Sequence, residues 1–114
     1  MQIFFLGLLL ISFIVPLPIG AAEVLQVRSA SLLQIGDQNR SYTVRIACLE
    51  VDSHNEDAAK DWLRQKLPRH RKVNLRPEAA IDGILLARVI PIGTEIDLGE
   101  GLVQAGLGRF ACFP

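Results

Sequence analysis

Short apolar runs and alternating apolar and polar positions recur along the chain after residue 22, a pattern typical of β-strands. The turn-forming residues Gly36, Asp37 and Asn39 stand between two of these segments and predict a tight connection. Asp82 and Gly83 give a second turn signal. Five strands are therefore predicted, the first three as an antiparallel meander: residues 24–27, residues 32–35, a strand beginning near residue 40, residues 71–76 and residues 84–92.

Helical spacing replaces this pattern after Asp52. Ser53 and Glu56 fit a capping box. In this motif the Ser53 hydroxyl caps the helix, and the Glu56 side chain reaches back to the backbone N–H of Ser53. Acidic residues lead this segment and basic residues end it, which complements the helix dipole, and Pro68 predicts its end. The predicted apolar face consists of Ala58, Ala59, Trp62, Leu63 and Leu67.

A second, shorter helix is predicted near the C-terminus. Asp97 is its expected N-cap, and Gly106 or Gly108 its expected left-handed terminator. Pro77 and the three residues after it are predicted to break the fourth strand. The order of these elements predicts a mainly β (α+β) domain, a five-stranded Greek-key barrel of the OB type with two or three short helices.

The first 22 residues have the character of a secretory signal peptide. They carry no charge, and an apolar run over residues 3–15 is followed by Pro16, Pro18 and small residues ending at Ala22. As a helix this run would span about 20 Å, less than the hydrocarbon core of about 30 Å. We expect cleavage after Ala22 and export to the periplasm, a lumen or the medium. The alternative is an uncleaved N-terminal membrane anchor.

The division at Ala22 leaves one domain, residues 23–114, which carries every charge of the chain. Its 12 basic and 12 acidic residues balance, which argues against tight nucleic-acid binding, since such domains are usually basic. Cys48 and Cys112 are the only cysteines. In an exported protein they are a candidate disulfide that closes most of the domain, and the alternative is two buried thiols.

Residues 42–52 form a predicted strand that runs into an acidic loop. Arg45 lies in the middle of the strand, and Glu50 and Asp52 follow its end. An arginine with two carboxylates at the rim of a sheet is a candidate site for a metal ion or a phosphate. The alternative is that Arg45 is a partly exposed strand residue whose stem packs on apolar neighbours.

Four segments in order resemble the staphylococcal nuclease-like (thermonuclease) family. They are residues 42–46 running into Glu50, residues 58–67, residues 82–89 and residues 101–107. The last two are similar to the family signatures "YGRxLAxV" and "LVxxGLA". The resemblance implies an OB-fold barrel that cleaves DNA and RNA phosphodiesters with calcium. In that family two aspartates hold the metal, a glutamate is thought to act as base, and two arginines bind the phosphate.

Carried over position by position, the resemblance implies that most of this site is replaced. The first metal aspartate corresponds to Ser31 and the second to Glu50, while the first arginine is retained as Arg45. The glutamate base corresponds to Ser53, and the second arginine to Ile84.

Substitutes for these groups stand nearby in the sequence. Asp52 or Glu56 could replace the base and, with Glu50, Asp52 could bind a metal. Arg88 could replace the lost arginine, although it lies about 13 Å along the strand from Ile84.

Three functional hypotheses follow. The first is an exported, catalytically impaired or inactive domain that acts as a binding or structural module for an unknown protein partner or nucleic acid. The second is a calcium-dependent phosphodiesterase with a rearranged site built on Arg45, Glu50 and Asp52. The third is a nucleic-acid-binding module that uses the basic residues 64–76. Calcium is the expected cofactor only of an active enzyme. We expect a monomer without stable membrane insertion after cleavage.

Overall fold

The computed structural model of the protein describes residues 22–112. The signal peptide is predicted for residues 1–22, of which residues 1–21 lie outside the described part; cleavage after Ala22 stays a prediction. Within residues 22–112 a 3₁₀ turn (Ser53–Asn55) precedes the first helix. The strands and helices are β1 (Ala22–Val27), β2 (Leu32–Asp37), β3 (Arg40–Ile46), β4 (Leu49–Glu50), α1 (Glu56–Lys66), β5 (Lys72–Ile81), β6 (Ile84–Pro91), α2 (Leu98–Gln104) and β7 (Arg109–Phe110).

Five strands close into a barrel in the order β1-β2-β3-β6-β5. Strands β1, β2 and β3 form an antiparallel meander, β3 and β6 run parallel, and β5 pairs antiparallel with both β6 and β1. The barrel closes through the pairs Ala22↔Val73 and Glu23↔Lys72. This is an OB-type barrel, so the predicted fold class is confirmed.

Alternation along the strands fills the barrel with aliphatic side chains. On β3, for example, Val44 and Ile46 are fully buried while Arg45 between them is exposed, because successive side chains of a strand point to opposite faces. The helices α1 and α2 cover the barrel with further apolar residues. The largest fully buried side chains are Val24, Leu33, Ile35, Val44, Ile46, Leu63, Val73, Val89 and Leu102.

The predicted break at residues 77–80 is wrong. β5 continues to Ile81, and the register with β6 shifts between Pro77 and Ala79, which leaves Glu78 as the extra residue of a β-bulge. A bulge accommodates a proline within a strand because it interrupts the regular ladder of hydrogen bonds. The turn after β5 forms as predicted, with positive φ at Asp82 and Gly83, as a two-residue hairpin requires.

The predicted capping box before α1 is also wrong. The helix begins at Glu56, and neither the 3₁₀ turn nor α1 has a side-chain cap. The Glu56 carboxylate instead accepts a hydrogen bond from the Ala30 backbone N–H at 3.3 Å. Ala58, expected on the buried face, is exposed.

The second helix follows the prediction closely. Asp97 Oδ1 accepts a hydrogen bond from the Glu100 N–H at 2.9 Å, which makes Asp97 the N-cap of α2. Gly106 has φ +77° and is the left-handed terminator. Among residues 22–112, neither helix has the length and apolarity needed to cross a bilayer.

Candidate functional site

A depression of about 500 Å³ lies at the end of β3, where the loop after β1, strand β4 and the start of α1 meet. It brings together the positions that the family resemblance selects at this end of the barrel, because four short segments converge on one rim. Its lining includes Ser31, Arg45, Glu50 and Ser53 from these positions, and also Glu56, a candidate substitute base.

Arg45 separates this cleft from a smaller hollow of about 150 Å³ on its other side. The hollow is lined by Ile81, Ile84 and Leu86 together with Asp82. Ile84, at the position of the second arginine, therefore lies beside Arg45 but brings an aliphatic group. Among residues 22–112, Arg45 forms no ion pair with a carboxylate, and its exposed guanidinium is open to a ligand.

The loop that carries Ser31 is held by two side chains. The Ser29 hydroxyl accepts hydrogen bonds from the backbone N–H groups of Ser31 and Leu32 at 3.3 and 3.1 Å. Glu56 accepts the Ala30 N–H of the same loop. The Glu56 carboxylate, a candidate substitute base, thus already accepts a hydrogen bond from the loop beside the cleft.

Arg109 neutralises the acidic side of the cleft. Its Nη2 lies 2.8 Å from Glu50 Oε1 and 3.3 Å from Asp52 Oδ1. The three side chains are 61, 57 and 43 % exposed, so each ion pair contributes only about 0–1 kcal/mol to stability. The contact nevertheless places a cation of the protein itself against both candidate metal ligands.

Arg109 reaches this position through a small C-terminal sheet. Strand β7 pairs antiparallel with β4, with Arg109 directly opposite Glu50. The next residues are fixed by a hydrogen bond from Ala111 N to Cys48 O at 3.1 Å. A disulfide joins Cys48 to Cys112, which is the first of the two alternatives that the sequence left open.

Sequence reasoning missed Arg109. Strands of two residues show no periodicity, and an isolated arginine near a C-terminus resembles any surface cation. The one available signal was the candidate disulfide, because pairing Cys48 with Cys112 brings the residues before Cys112 close to those after Cys48.

These residues do not fit a calcium ion. Calcium takes six to eight hard oxygen ligands, usually with several carboxylates. Here Ser31 offers a neutral hydroxyl, and Glu50 and Asp52 are bound to Arg109. Among residues 22–112 no three His, Cys, Asp or Glu side chains are grouped so that they could hold a metal.

The substitute arginine is not brought to the cleft either. Arg88 forms an ion pair with Glu78 at 3.5 Å, and it lines neither hollow beside Arg45. It lies directly opposite Arg76 on the neighbouring strand β5. Of the two arginine positions that the resemblance implies, only the one at Arg45 supplies a cation to the site.

The sequence matches no model of a known protein family, and it matches no curated protein.

Proposed function

We propose that the protein is an exported, catalytically silent barrel of the staphylococcal nuclease-like type that acts as a binding module. The observation that carries this proposal is the Arg109 guanidinium between the Glu50 and Asp52 carboxylates. A nuclease of this type needs those carboxylates free for a cation. Here an arginine of the same chain pairs with both carboxylates.

The groups that would perform the chemistry are also replaced. Ser53 stands where a base is needed and Ile84 where a second arginine is needed. Loss of a general base costs about 10²–10⁴-fold in rate, and loss of one preorganised charge-stabilising group about 10²–10³-fold. Because such losses are not additive their product is not a forecast, but each alone reduces hydrolysis far below that of a working nuclease.

Arg45 supports a binding role rather than no role. Its guanidinium is exposed, lacks a carboxylate partner among residues 22–112, and lines the cleft together with the Ser31 and Ser53 hydroxyls. Such a group can bind a phosphate or carboxylate of a partner through a bidentate contact. It cannot by itself activate water.

The test is cleavage of denatured DNA by the purified protein, with calcium and with chelator, beside the variant Arg45→Ala. A working calcium-dependent nuclease, run in parallel, sets the detection limit. We expect no cleavage above the chelator background in either protein. We also expect the unfolding temperature to be the same with and without calcium, because residues 22–112 contain no cluster of three His, Cys, Asp or Glu side chains that could bind the ion.

Calcium-dependent cleavage that Arg45→Ala abolishes would overturn the proposal in favour of a rearranged phosphodiesterase. In that case Asp52→Asn and Glu56→Gln would identify the substitute base. Export is tested separately by N-terminal sequencing of the protein recovered outside the cytoplasm, with Glu23 expected as its first residue.

A further inference from the structure

A second concave surface lies between α1, α2 and the loop that joins β6 to α2. We call it the tryptophan groove; it encloses about 300 Å³. Trp62 of α1 and Leu98 of α2 contribute its apolar lining, and Ile96 forms part of its rim. Its residues are distinct from those of the Arg45 cleft.

The groove is built around the indole ring. A Cβ atom at Gly101 would lie 2.7 Å from Cη2 of Trp62, which is too close for two carbon atoms. Glycine inside a helix costs about 1 kcal/mol relative to alanine. The absence of a side chain at Gly101 allows the Trp62 ring to pack against α2. The tryptophan is partly buried as a result.

Apolar surface around the ring is left uncovered among residues 22–112. Ile96 on the rim is 47 % exposed, and Ile92 in the same loop is 41 % exposed. Ile96 shares the lining of the groove with the partly buried Trp62. An accessible aliphatic side chain beside an aromatic ring in a concave surface is typical of a ligand-binding pocket.

Within the described part of the chain, the cations of the groove have no carboxylate partner. Lys66 Nζ lies 5.5 Å from the centroid of the Trp62 ring, and Arg71 donates a hydrogen bond to the Ile92 carbonyl at 2.9 Å. Neither forms an ion pair with a carboxylate of residues 22–112. The one acid that lines the groove, Asp97, is engaged as the N-cap of α2.

We infer that the tryptophan groove binds a peptide segment in which an apolar residue is flanked by carboxylates. The apolar residue would pack on Trp62 and Ile96, and the carboxylates would meet Lys66 and Arg71. A peptide fits better than a membrane surface because the indole lines a hollow instead of protruding from the surface. This inference deepens the proposed function, since it assigns a ligand class to the binding module.

Trp62 makes the inference directly measurable, because it is the only tryptophan of the chain. The probe is a displayed library of nine-residue peptides with a central Leu or Phe and random flanks. Enriched peptides are synthesised, and their binding is followed by Trp62 fluorescence and by the anisotropy of a labelled peptide. We expect enrichment of Asp and Glu in the flanks and weaker binding at high salt, since exposed charges are screened.

Two pairs of matched variants localise the binding. Ile96→Glu places a carboxylate on the rim, while Ala58→Glu places one at an exposed apolar position of α1 that lines neither the tryptophan groove nor the Arg45 cleft. Lys66→Glu reverses a groove charge, while Arg64→Glu reverses a charge in the same helical turn outside the groove. We expect Ile96→Glu and Lys66→Glu to weaken binding about ten-fold or more, and each control about two-fold at most.

Four outcomes would overturn the inference, three of them in the peptide experiments and one with vesicles. Enriched peptides could be neutral or basic, binding could be equally sensitive to the control variants, or no peptide could be enriched. Vesicles containing phosphatidylserine are tested in parallel, and a stronger Ile96-dependent response to them than to any peptide would assign the groove to a membrane surface instead. None of these results bears on the cleavage assay, so failure of this inference and failure of the proposed function are distinguishable.

Discussion

Removal of the Cys48–Cys112 disulfide should cost a large part of the folding stability of this domain. The two cysteines are 64 residues apart, and constraining a loop of that size in the unfolded chain contributes about 4 kcal/mol on the chain-entropy account. A domain of about 90 residues is expected to have a free energy of unfolding of about 5–14 kcal/mol. The double variant Cys48→Ala/Cys112→Ala should therefore unfold roughly 15–30 °C below the disulfide-bonded protein.

The backbone at Cys48 provides a matched control. Its φ is +59°, a left-handed conformation that costs a residue with a Cβ about 1–2 kcal/mol and costs glycine little. The variant Cys48→Gly/Cys112→Ala lacks the same cross-link but avoids this conformational cost. We expect it to be about 1 kcal/mol more stable than the alanine variant, and still well below the disulfide-bonded protein.

The assay is urea unfolding followed by Trp62 fluorescence, which gives the free energy of unfolding of each protein by linear extrapolation. The disulfide-bonded protein with and without dithiothreitol provides a check without any substitution. A loss below about 1 kcal/mol in the alanine variant would refute the reasoning, because the cross-link would then do little to constrain the unfolded chain. Equal stability of the two double variants would refute the account of the Cys48 backbone.

Three further changes test local parts of the structure. Hydrogen bonds from Lys72 and then His70 lower the pKa of Glu23 below its usual value of 4.5, so this carboxylate stabilises the fold above that pH and less as pH falls through its lowered pKa. Glu23→Gln should therefore be less stable than the wild type at pH 7, with the difference shrinking below pH 4.5 in urea titrations. Asp97→Ala should cost about 1 kcal/mol through loss of the α2 cap, and Asp97→Asn should recover most of it in the same assay. Arg109→Ala should change stability by about 1 kcal/mol at most. On the proposed function it should also leave the protein without calcium-dependent cleavage, because the resemblance puts Ser53 at the position of the base and Ile84 at that of the second arginine.

The barrel was largely predictable because its strands carry their own pattern. Residues 32–35 and the strand near residue 40 were identified from alternation and an intervening turn, and they became β2 and β3. The errors arose where a long-range contact outweighed a local preference. Glu56 has the right spacing for a capping box with Ser53, yet its carboxylate reaches the Ala30 N–H of another loop. Pro77 signals a break, but pairing with β6 carries the strand past it through a bulge.

The candidate site was predictable only where it follows from a strand. Arg45 faces outward because Val44 and Ile46 face inward, and that alternation is visible in the sequence. The state of Glu50 and Asp52 was not predictable, because it depends on Arg109, which is more than 50 residues away in the chain. No residue near Glu50 or Asp52 in the sequence indicates that an arginine will contact these carboxylates.

The C-terminal segment links the stability of the domain to its chemistry. The disulfide, the β4–β7 pairing and the Ala111–Cys48 hydrogen bond together hold Arg109 against the acidic pair. The ion pairs themselves are too exposed to hold a strand in place, so the cross-link and the backbone pairing position the arginine, and not the reverse. The segment that pairs with β4 and carries the cross-link thereby also places a cation against the Glu50 and Asp52 carboxylates. On the proposed function, this arrangement would let the barrel keep the Arg45 cleft as a binding surface without a metal ion.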